Sequence, residues 1–253
     1  MSRLRAVLFN LAFFAGTGLM AIVGAPFVVA PRRWAMGFGR CWSRWSLALL
    51  KLIVGLDGEI RGRENIPPGS CLIAVKHQST WDTLIMPVVL GDPAVVIKRE
   101  LLMVPLYGWF AARAGSIFVD RKGGAAALRR LLAQARRAVA QGRRIVVFPQ
   151  GTRTAPGQYA PYQPGVAALY QALSLPLVPA AVDSGLYWGR RAFVKRPGRI
   201  VLEFLPPIPP GLPRRQMMKE LEARIETATD RLVAEARSKI ANKSATLQGP
   251  GFA

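Results

Sequence analysis

The chain opens on a long apolar run, which predicts a helix in contact with lipid. Residues 6–30 are apolar except for Asn10, Thr17 and several glycines, and a helix of that length can enter a bilayer. A cleaved signal peptide is the less favoured alternative, because the run exceeds the usual apolar core of such a peptide. Arginines lie on both sides of the run, so a segment that dips into the membrane and returns fits as well as one that spans it.

A helical repeat with basic and aromatic residues follows directly. Apolar side chains in residues 34–56 recur at steps of three and four, and Arg40, Arg44 and Lys51 lie between them. A basic helix with tryptophans on its apolar side is typical of a membrane interface, although a core-packing helix with a charged outer side shows the same pattern. Together the two segments predict a membrane anchor of two helices, residues 1–56, embedded from the cytoplasmic side.

Beyond this segment, short apolar runs rich in β-branched residues alternate with helical patterns. The predicted strands are residues 71–75, 94–97, 116–119, 144–148, 177–182 and 199–204. A helix is predicted over residues 124–141, and a long amphipathic helix follows a proline-rich connector. Such alternation predicts an α/β fold with a mixed, largely parallel sheet flanked by helices over residues 57–241, and a flexible tail over residues 242–253.

Composition narrows the classes of protein that fit this pattern. Apolar residues make up 51% of the chain and the mean hydropathy is +0.22, which excludes a disordered chain and favours contact with lipid. Lys and Arg outnumber Asp and Glu by 35 to 14, and the net charge of +21 favours nucleic acid, a phospholipid surface, or an acidic substrate or carrier. Cys41 and Cys71 form no disulfide or metal-binding pattern, which fits a reducing location.

The single histidine of the chain is the first candidate for chemistry. His77 comes just after the predicted strand 71–75, and strand ends are where sites gather in α/β folds. An imidazole is a natural general base near neutral pH, and a carboxylate that fixes its tautomer improves it. A turn leading into a helix would bring Asp82 back to His77. The alternative is a histidine at a strand end with Asp82 as a local cap.

A glycine, a hydroxyl and a guanidinium follow the predicted strand 144–148. Gly151 permits close backbone approach, Thr152 offers a hydroxyl, and Arg153 offers a planar fork that suits phosphate. The alternative is a turn with an exposed arginine.

Two further predicted strands end in cations, namely Arg121 after residues 116–119 and Lys98 after residues 94–97. A surface salt bridge with Asp120 is the alternative for Arg121. If the strands are parallel, these groups converge on one rim of the sheet with His77. Near a membrane, such a rim suits an anionic lipid headgroup.

These residues together resemble the glycerolipid acyltransferases, and among them the bacterial 1-acylglycerol-3-phosphate acyltransferases. The family's H-x-x-x-x-D motif is matched by His77 and Asp82, and its second motif resembles residues 115–121. Its F-P-E-G-T-R motif is matched, except at one position, by residues 148–153, and its fourth motif, an apolar segment ending in proline, by residues 177–179. Four motifs in the family order make the resemblance specific.

The resemblance implies a reaction and a role for each site residue. His77 is expected to take the proton of an acceptor hydroxyl, and Asp82 to orient it. The residues expected to hold the acceptor's glycerol phosphate are Gly151, Thr152, Arg153, Arg121, Gln150 and Lys98. An acyl group would pass from acyl-CoA or acyl carrier protein to the sn-2 hydroxyl of 1-acylglycerol-3-phosphate, giving phosphatidic acid, without a metal, a cofactor or an acyl-enzyme.

The resemblance also implies partners and a location. The expected partners are a lysophospholipid, an acyl thioester and an anionic membrane surface, with acyl carrier protein as one form of the donor. The expected location is the inner membrane, with the catalytic domain facing the cytoplasm.

Two positions depart from the family pattern. Gln150 replaces the glutamate of the third motif, which keeps hydrogen-bonding capacity and loses a negative charge, and Gln163 stands where many relatives have a lysine. Both changes touch the predicted headgroup site. Two alternatives therefore stay open: an acyltransferase for another lyso-lipid, such as a lyso-ornithine lipid, or a non-catalytic lipid-binding relative.

Two other classes of protein are less favoured. A serine hydrolase would need a nucleophile such as Ser79, and the chain has no G-x-S-x-G motif. A nucleic-acid-binding protein would explain the charge but not the apolar run 6–30, so no nucleic acid is expected as a partner.

Overall fold

The computed structural model describes residues 3–121 and 123–247, with side chains through residue 242. The helices are α1 (Arg3–Gly24), α2 (Arg32–Leu49), α3 (Trp81–Leu90), α4 (Tyr107–Arg113), α5 (Gly124–Ala140), α6 (Pro164–Leu173) and α7 (Arg214–Leu247). The strands are β1 (Leu56–Arg61), β2 (Leu72–Val75), β3 (Ala94–Lys98), β4 (Ile117–Val119), β5 (Ile145–Val147), β6 (Leu177–Val182) and β7 (Gly198–Phe204). All the predicted strands are confirmed, and β1 has no counterpart among them.

The strands of the described chain form one sheet in the order β1-β7-β6-β2-β5-β3-β4. Neighbouring strands pair in parallel, except that β6 and β7 are antiparallel. The sheet is therefore mixed and largely parallel, as predicted. β2, at its centre, is buried along its whole length, whereas β1 lies at an edge and carries charged residues. An edge strand needs no continuous apolar run, which explains why the pattern did not predict β1.

Helices cover both faces of the sheet. Successive side chains of a strand point to opposite faces, so Ile73 and Val75 of β2 join one apolar cluster and Leu72 and Ala74 join the other. α1 and α3 contribute to the first cluster, and α5, α6 and α7 contribute to the second. This arrangement of three layers confirms the predicted α/β class, because a largely parallel sheet is stable when both faces are covered.

α1 is the apolar helix predicted near the start of the chain. With the single turn that follows it, the segment Arg3–Val28 is long and apolar enough to cross a membrane, and only 11% of its most apolar window is buried. On its inner side, Phe9 and Phe13 lie in the same apolar cluster as residues of β2. Its outer side carries exposed apolar side chains: Leu4, Val7, Leu8, Leu11, Phe14, Leu19, Ile22 and Val23. α1 therefore shares a core with the sheet and keeps one apolar side uncovered.

Trp42 and Trp45 of α2 pack against α1, which corrects the prediction that they face a membrane interface, whereas Trp34 at the start of the helix is 54% exposed. Trp42 Nε1 donates a hydrogen bond to Thr17 Oγ1 of α1 at 3.1 Å. The ring of Trp45 lies so close to Gly16 of α1 that a Cβ atom on this glycine would be 2.2 Å from it. The small side chains of α1 allow this close approach, so α1 removes from water the apolar surface that lipid would otherwise cover.

α7 packs along the second face of the sheet and extends past the predicted start of the tail. Met217, Leu221 and Ile225 on its inner side are buried, and the helix continues to Leu247. The first residues of the predicted flexible tail are therefore helical, and residues 248–253 lie outside the described residues.

Candidate active site

The carboxyl ends of four strands lie side by side at one edge of the sheet, because β2, β5, β3 and β4 are neighbours and parallel. A cleft of about 590 Å³ opens at this edge. The predicted site residues that line it are His77, Lys98, Arg121, Gly151, Thr152 and Arg153. The structure therefore brings together on one rim groups that follow four different strands.

His77 and Asp82 are in hydrogen-bond contact, with 2.9 Å between His77 Nδ1 and Asp82 Oδ2. Asp82 lies in the first turn of α3, where the helix dipole favours a carboxylate. Its Oδ2 also accepts the backbone N–H groups of Gln78 and Ser79 at 2.7 and 2.8 Å. These bonds close the turn and fold Asp82 back onto His77, which is the geometry of an imidazole base with an orienting carboxylate.

Ser184 completes the set of donors around Asp82. Its Oγ donates to Asp82 Oδ1 at 2.5 Å, and Ser184 follows β6, which pairs with β2. The backbone N–H of Gly185 donates to Gln78 Oε1 at 2.9 Å and ties the same loop again. Asp82 is 1% exposed, so these donors replace the water that a buried carboxylate would otherwise need.

The ring of His77 is held on its flat side by Phe148. The two ring centroids are 4.2 Å apart and the planes are inclined by 28°. The register pairs Ala74 of β2 with Val147 of β5, which places Phe148 beside the end of β2. With Nδ1 on Asp82 and the ring stacked on Phe148, the opposite nitrogen, Nε2, points away from Asp82 on a ring that lines the cleft.

Gly151 and Arg121 approach each other closely at the rim of the cleft. Gly151 has a φ of +68°, and a Cβ atom there would lie 2.7 Å from Arg121 Nη2. Glycine is the residue that combines this backbone conformation with this approach. Thr152 and Arg153 follow and also line the cleft. The cleft therefore presents two guanidinium groups and a hydroxyl, which are donors that suit a phosphate.

Arg153 is a partly desolvated cation. Burial lowers the pKa of its guanidinium from the usual value, and the nearby carboxylate of Asp82 acts in the opposite direction. The guanidinium keeps its proton at neutral pH, because the ordinary arginine pKa is far above 7. A cation that has lost part of its hydration gains more from an anionic ligand than a fully hydrated one does.

Further cations surround the cleft. Lys98 at the end of β3 lines it, while the neighbouring Arg99 pairs with Asp120 at 3.4 Å. Arg190 and Arg214 line it as well, although neither belongs to a motif. The charge of Arg190 lowers the pKa of Arg153 further, which indicates that the two guanidinium groups are close. The rim therefore favours an anionic ligand.

Gln150 does not line the cleft, which differs from its predicted place in the phosphate site. It is 2% exposed, its Oε1 accepts the backbone N–H of His77 at 3.4 Å, and its Nε2 donates to Glu226 Oε1 at 3.4 Å. The turn directs residues 151–153 towards the cleft and Gln150 towards α7, where a buried carboxylate accepts its amide.

The inner wall of the cleft is apolar. Side chains of β3, β5, α5 and α6 form it: Val96, Ala127, Leu131, Val147, Val166 and Leu169. Most of these side chains belong to the buried cluster on this face of the sheet. A cationic rim next to an apolar wall suits a ligand that carries both an anionic group and a hydrocarbon chain.

Several residues around the site have no motif in the sequence. Ser184 and Arg190 follow the predicted strand 177–182, so the rule that sites gather at strand ends is a signal that points to both. Lys76 directly follows the apolar strand β2, and a lysine next to a buried strand is a weak signal. Glu226 lies on an ordinary amphipathic helix, and no local pattern distinguishes it.

Both the sequence and the fold have relatives among known proteins. The family model described as Acyltransferase matches residues 58–183. The 1-acyl-sn-glycerol-3-phosphate acyltransferase of Pseudomonas aeruginosa is 33% identical over 92% of this chain and 91% of that protein. The alpha form of the mouse enzyme of the same name is 35% identical over 62% of this chain and 57% of that protein.

The fold has a counterpart in a crystal structure, that of the 1-acyl-sn-glycerophosphate (LPA) acyltransferase PlsC from Thermotoga maritima. The TM-score is 0.74 with 20% sequence identity, over 92% of this chain and 98% of that chain. This similarity shows that the two chains share a fold.

Proposed function

Because this chain belongs to the acyltransferase family, we propose that it transfers a fatty acyl group from a thioester to the sn-2 hydroxyl of 1-acylglycerol-3-phosphate. The product is phosphatidic acid. The acceptor is the one named for the Pseudomonas aeruginosa relative, and the cationic rim and apolar wall of the cleft support it.

The contact between His77 and Asp82 is the single observation that carries this proposal. At 2.9 Å from Asp82 Oδ2, the Nδ1–H of His77 donates to the carboxylate, which leaves the lone pair of Nε2 for the cleft. Nε2 takes the proton of the acceptor hydroxyl, and Asp82 stabilises the imidazolium that forms.

The acyl transfer itself then needs no covalent intermediate on the protein. The acceptor oxygen attacks the thioester carbonyl carbon, a new C–O bond forms, and the C–S bond breaks. The imidazolium of His77 returns its proton to the leaving thiolate, so the base is regenerated. In this proposal the protein uses neither a metal ion nor a cofactor, and the acyl thioester is a co-substrate.

The cations of the rim hold the acceptor's phosphate in the proposed complex. Arg121 and Arg153 offer planar donors, Thr152 offers a hydroxyl, and Gly151 allows close approach of the backbone. Lys98 adds a positive charge at the end of β3. Binding the phosphate there fixes the position of the acceptor hydroxyl relative to His77, which converts binding energy into orientation.

The remaining features of the chain support a membrane enzyme that uses a soluble, anionic donor. The uncovered apolar side of α1 is proposed to lie in the inner membrane, with the cleft on the cytoplasmic side, where acyl-CoA and acyl carrier protein are found. Both donors are polyanionic, and the net charge of +21 favours either of them and an anionic phospholipid surface.

The test is acyl transfer by the purified protein in detergent micelles. We expect phosphatidic acid to form from an acyl thioester and 1-acylglycerol-3-phosphate, and His77→Ala to lower the rate by at least about 10³-fold, since it removes the base. Ser79→Ala is the control, because it removes the hydroxyl near His77 in the sequence that a serine hydrolase would need as its nucleophile. In the structure the oxygen of this hydroxyl accepts the backbone N–H of Trp81 at 3.2 Å. An equal loss in both variants would indicate a serine nucleophile instead.

A panel of donors and acceptors completes this test. Acyl-CoA and acyl carrier protein thioesters are compared as donors, and lyso-ornithine lipid is included among the acceptors. Transfer to another lyso-lipid alone would make the proposed acceptor wrong. Binding of lysolipids without any transfer would identify a non-catalytic relative.

A further inference from the structure

A buried polar network lies directly behind the turn that carries His77, and it connects this turn to α7. Lys76 is 1% exposed, and its Nζ lies 2.5 Å from Glu226 Oε2. The other oxygen of Glu226 accepts the hydroxyl of Tyr162 at 2.8 Å and the amide of Gln150 at 3.4 Å. Burial and the charge of Glu226 raise the pKa of Tyr162, so its hydroxyl keeps its proton and donates.

In this network the carboxylate of Glu226 contacts Gln150, a residue that has no charge of its own. The family motif has a glutamate at this position, and this chain has Gln150. Resting on the proposed function, we infer that Glu226 supplies from α7 the negative charge that this acyltransferase lacks at position 150. Through that charge, Glu226 positions Lys76 and the backbone N–H of His77.

The physical reason is that a carboxylate accepts hydrogen bonds and cannot donate them. Gln150 must therefore turn its Nε2 towards Glu226, and its Oε1 then faces the backbone N–H of His77 at 3.4 Å. The second oxygen of Glu226 holds the ammonium group of Lys76, the residue before His77. Glu226 thus holds residue 76 by an ion pair and residue 77 through Gln150, and it is a positioning residue.

Moving the carboxylate between the two positions tests this role directly. Glu226→Gln should lower kcat about tenfold with little change in KM, because a glutamine no longer dictates the orientation of Gln150. Gln150→Glu alone should also lower kcat, since it puts two carboxylates in contact. The double variant, Gln150→Glu with Glu226→Gln, returns the carboxylate to the family position and should recover kcat to within about threefold of the wild type. Failure of this variant to recover activity would overturn the inference.

A second double variant separates positioning from stability. Lys76→Gln with Glu226→Gln removes both charges, so no unpaired charge is left in the interior and the protein should fold. We expect it to lose as much kcat as Glu226→Gln, whereas wild-type kcat would show that the pair only stabilises the fold. Glu220→Gln is the control, because it removes a carboxylate of α7 that pairs with Arg224 of the same helix at 2.5 Å, and kcat should not change.

The single histidine provides a readout that does not depend on the substrate. ¹⁵N NMR spectra contain one imidazole, that of His77, and its ring and backbone amide signals should shift in Glu226→Gln and return in the variant that exchanges residues 150 and 226. Unchanged signals in Glu226→Gln would refute the positioning role even if the wild type is active. Shifted signals in a wild type that transfers no acyl group would refute the proposed function and keep the positioning role.

Discussion

Two buried lysines connect different regions of the molecule in different ways. Behind the cleft, Lys76 pairs with the carboxylate of Glu226 at 2.5 Å. Between α1 and the sheet, Lys195 is 3% exposed, and its Nζ donates to Asn10 Oδ1 at 2.5 Å and to Phe193 O at 3.0 Å. In the described part of the chain no carboxylate pairs with Lys195, and burial lowers its pKa to about 8.

The region behind the cleft is thus ordered by a pair of opposite charges, and the region beside α1 is held by apolar and aromatic packing. Lys195 Nζ lies 5.0 Å from the ring centre of Phe9 and 5.3 Å from that of Trp188, and aromatic faces partly replace an anion. In a buried ion pair the cost of desolvating both charges offsets most of their attraction, so the pair adds little net stability, whereas buried aromatic area contributes stability. Changes near the cleft should therefore affect turnover, and changes beside α1 should affect unfolding.

The largest effect is expected in the cleft region, from Asp82→Asn. The amide oxygen can still accept the bonds from His77, Gln78 and Ser79, and the amide nitrogen can donate to Ser184 Oγ. The charge that stabilises the imidazolium is lost, so kcat should fall on the order of 10³-fold. Steady-state kinetics and thermal unfolding of the same preparation check this. A large drop in stability with unchanged kcat would reverse the contrast between the two regions.

A smaller effect is expected beside α1, from Asn10→Leu. This change removes one of the two acceptors of the Lys195 ammonium group and leaves a buried charge underpaired, which should cost about 1–3 kcal/mol of unfolding free energy. The transition temperature in detergent should fall while kcat per folded molecule stays the same. Asn10→Asp keeps an acceptor and should lose less, so equal losses in the two variants would show that Lys195 does not need this partner.

The last prediction is a change in the pH dependence of stability rather than in kcat, and it is expected from Asp183→Asn, since Asp183 is a buried carboxylate that forms no ion pair among the described residues. Asp183 Oδ1 accepts the backbone N–H of Val201 at 2.8 Å, and Oδ2 has no hydrogen-bond partner among the described residues. Burial raises its pKa from 3.8 to about 7. The protonated form of Asp183 therefore stabilises the folded state. This contribution is complete when the pH is below the pKa of the unfolded chain, 3.8, and it is lost as the pH rises through the pKa of the folded protein, about 7.

Thermal unfolding across this pH window measures the effect. The wild type should lose stability as the pH rises from about 4 to about 8, and Asp183→Asn should show a shallower slope, because it has no proton to lose. Identical slopes would mean that Asp183 does not titrate in this window.

Much of the fold could be predicted from the apolar pattern, because central strands of a parallel sheet are buried on both faces. β2 and β6 are buried along their whole length and stand out as continuous apolar runs. β1 pairs on one side only and carries charged residues, so its sequence resembles a loop. The helical pattern of α2 was predicted correctly, but Trp42 and Trp45 contact α1, which no local pattern reveals.

The site also combines contacts within a short segment, which the sequence could suggest, with contacts between distant segments, which it could not. The contact of His77 with Asp82 depends on a turn of a few residues, so the sequence could suggest it, but the five-residue spacing fitted a local cap equally well and the structure decided for the contact. Gln150 was expected in the cleft with its neighbours, and its direction depends instead on a carboxylate of α7. Ser184 reaches Asp82 from the end of β6, across 102 positions of the chain.

The sequence by itself determined which residues end the strands, where the cations lie along the chain, and that an imidazole and a carboxylate lie five residues apart just after a strand. These features depend on residues that are close in the sequence and on the apolar runs of strands buried on both faces. Only the tertiary structure decided that α1 shares the core of the sheet, and that Glu226 rather than residue 150 carries the negative charge behind His77. Such contacts join distant segments, and they form only when the layers on both faces of the sheet pack together.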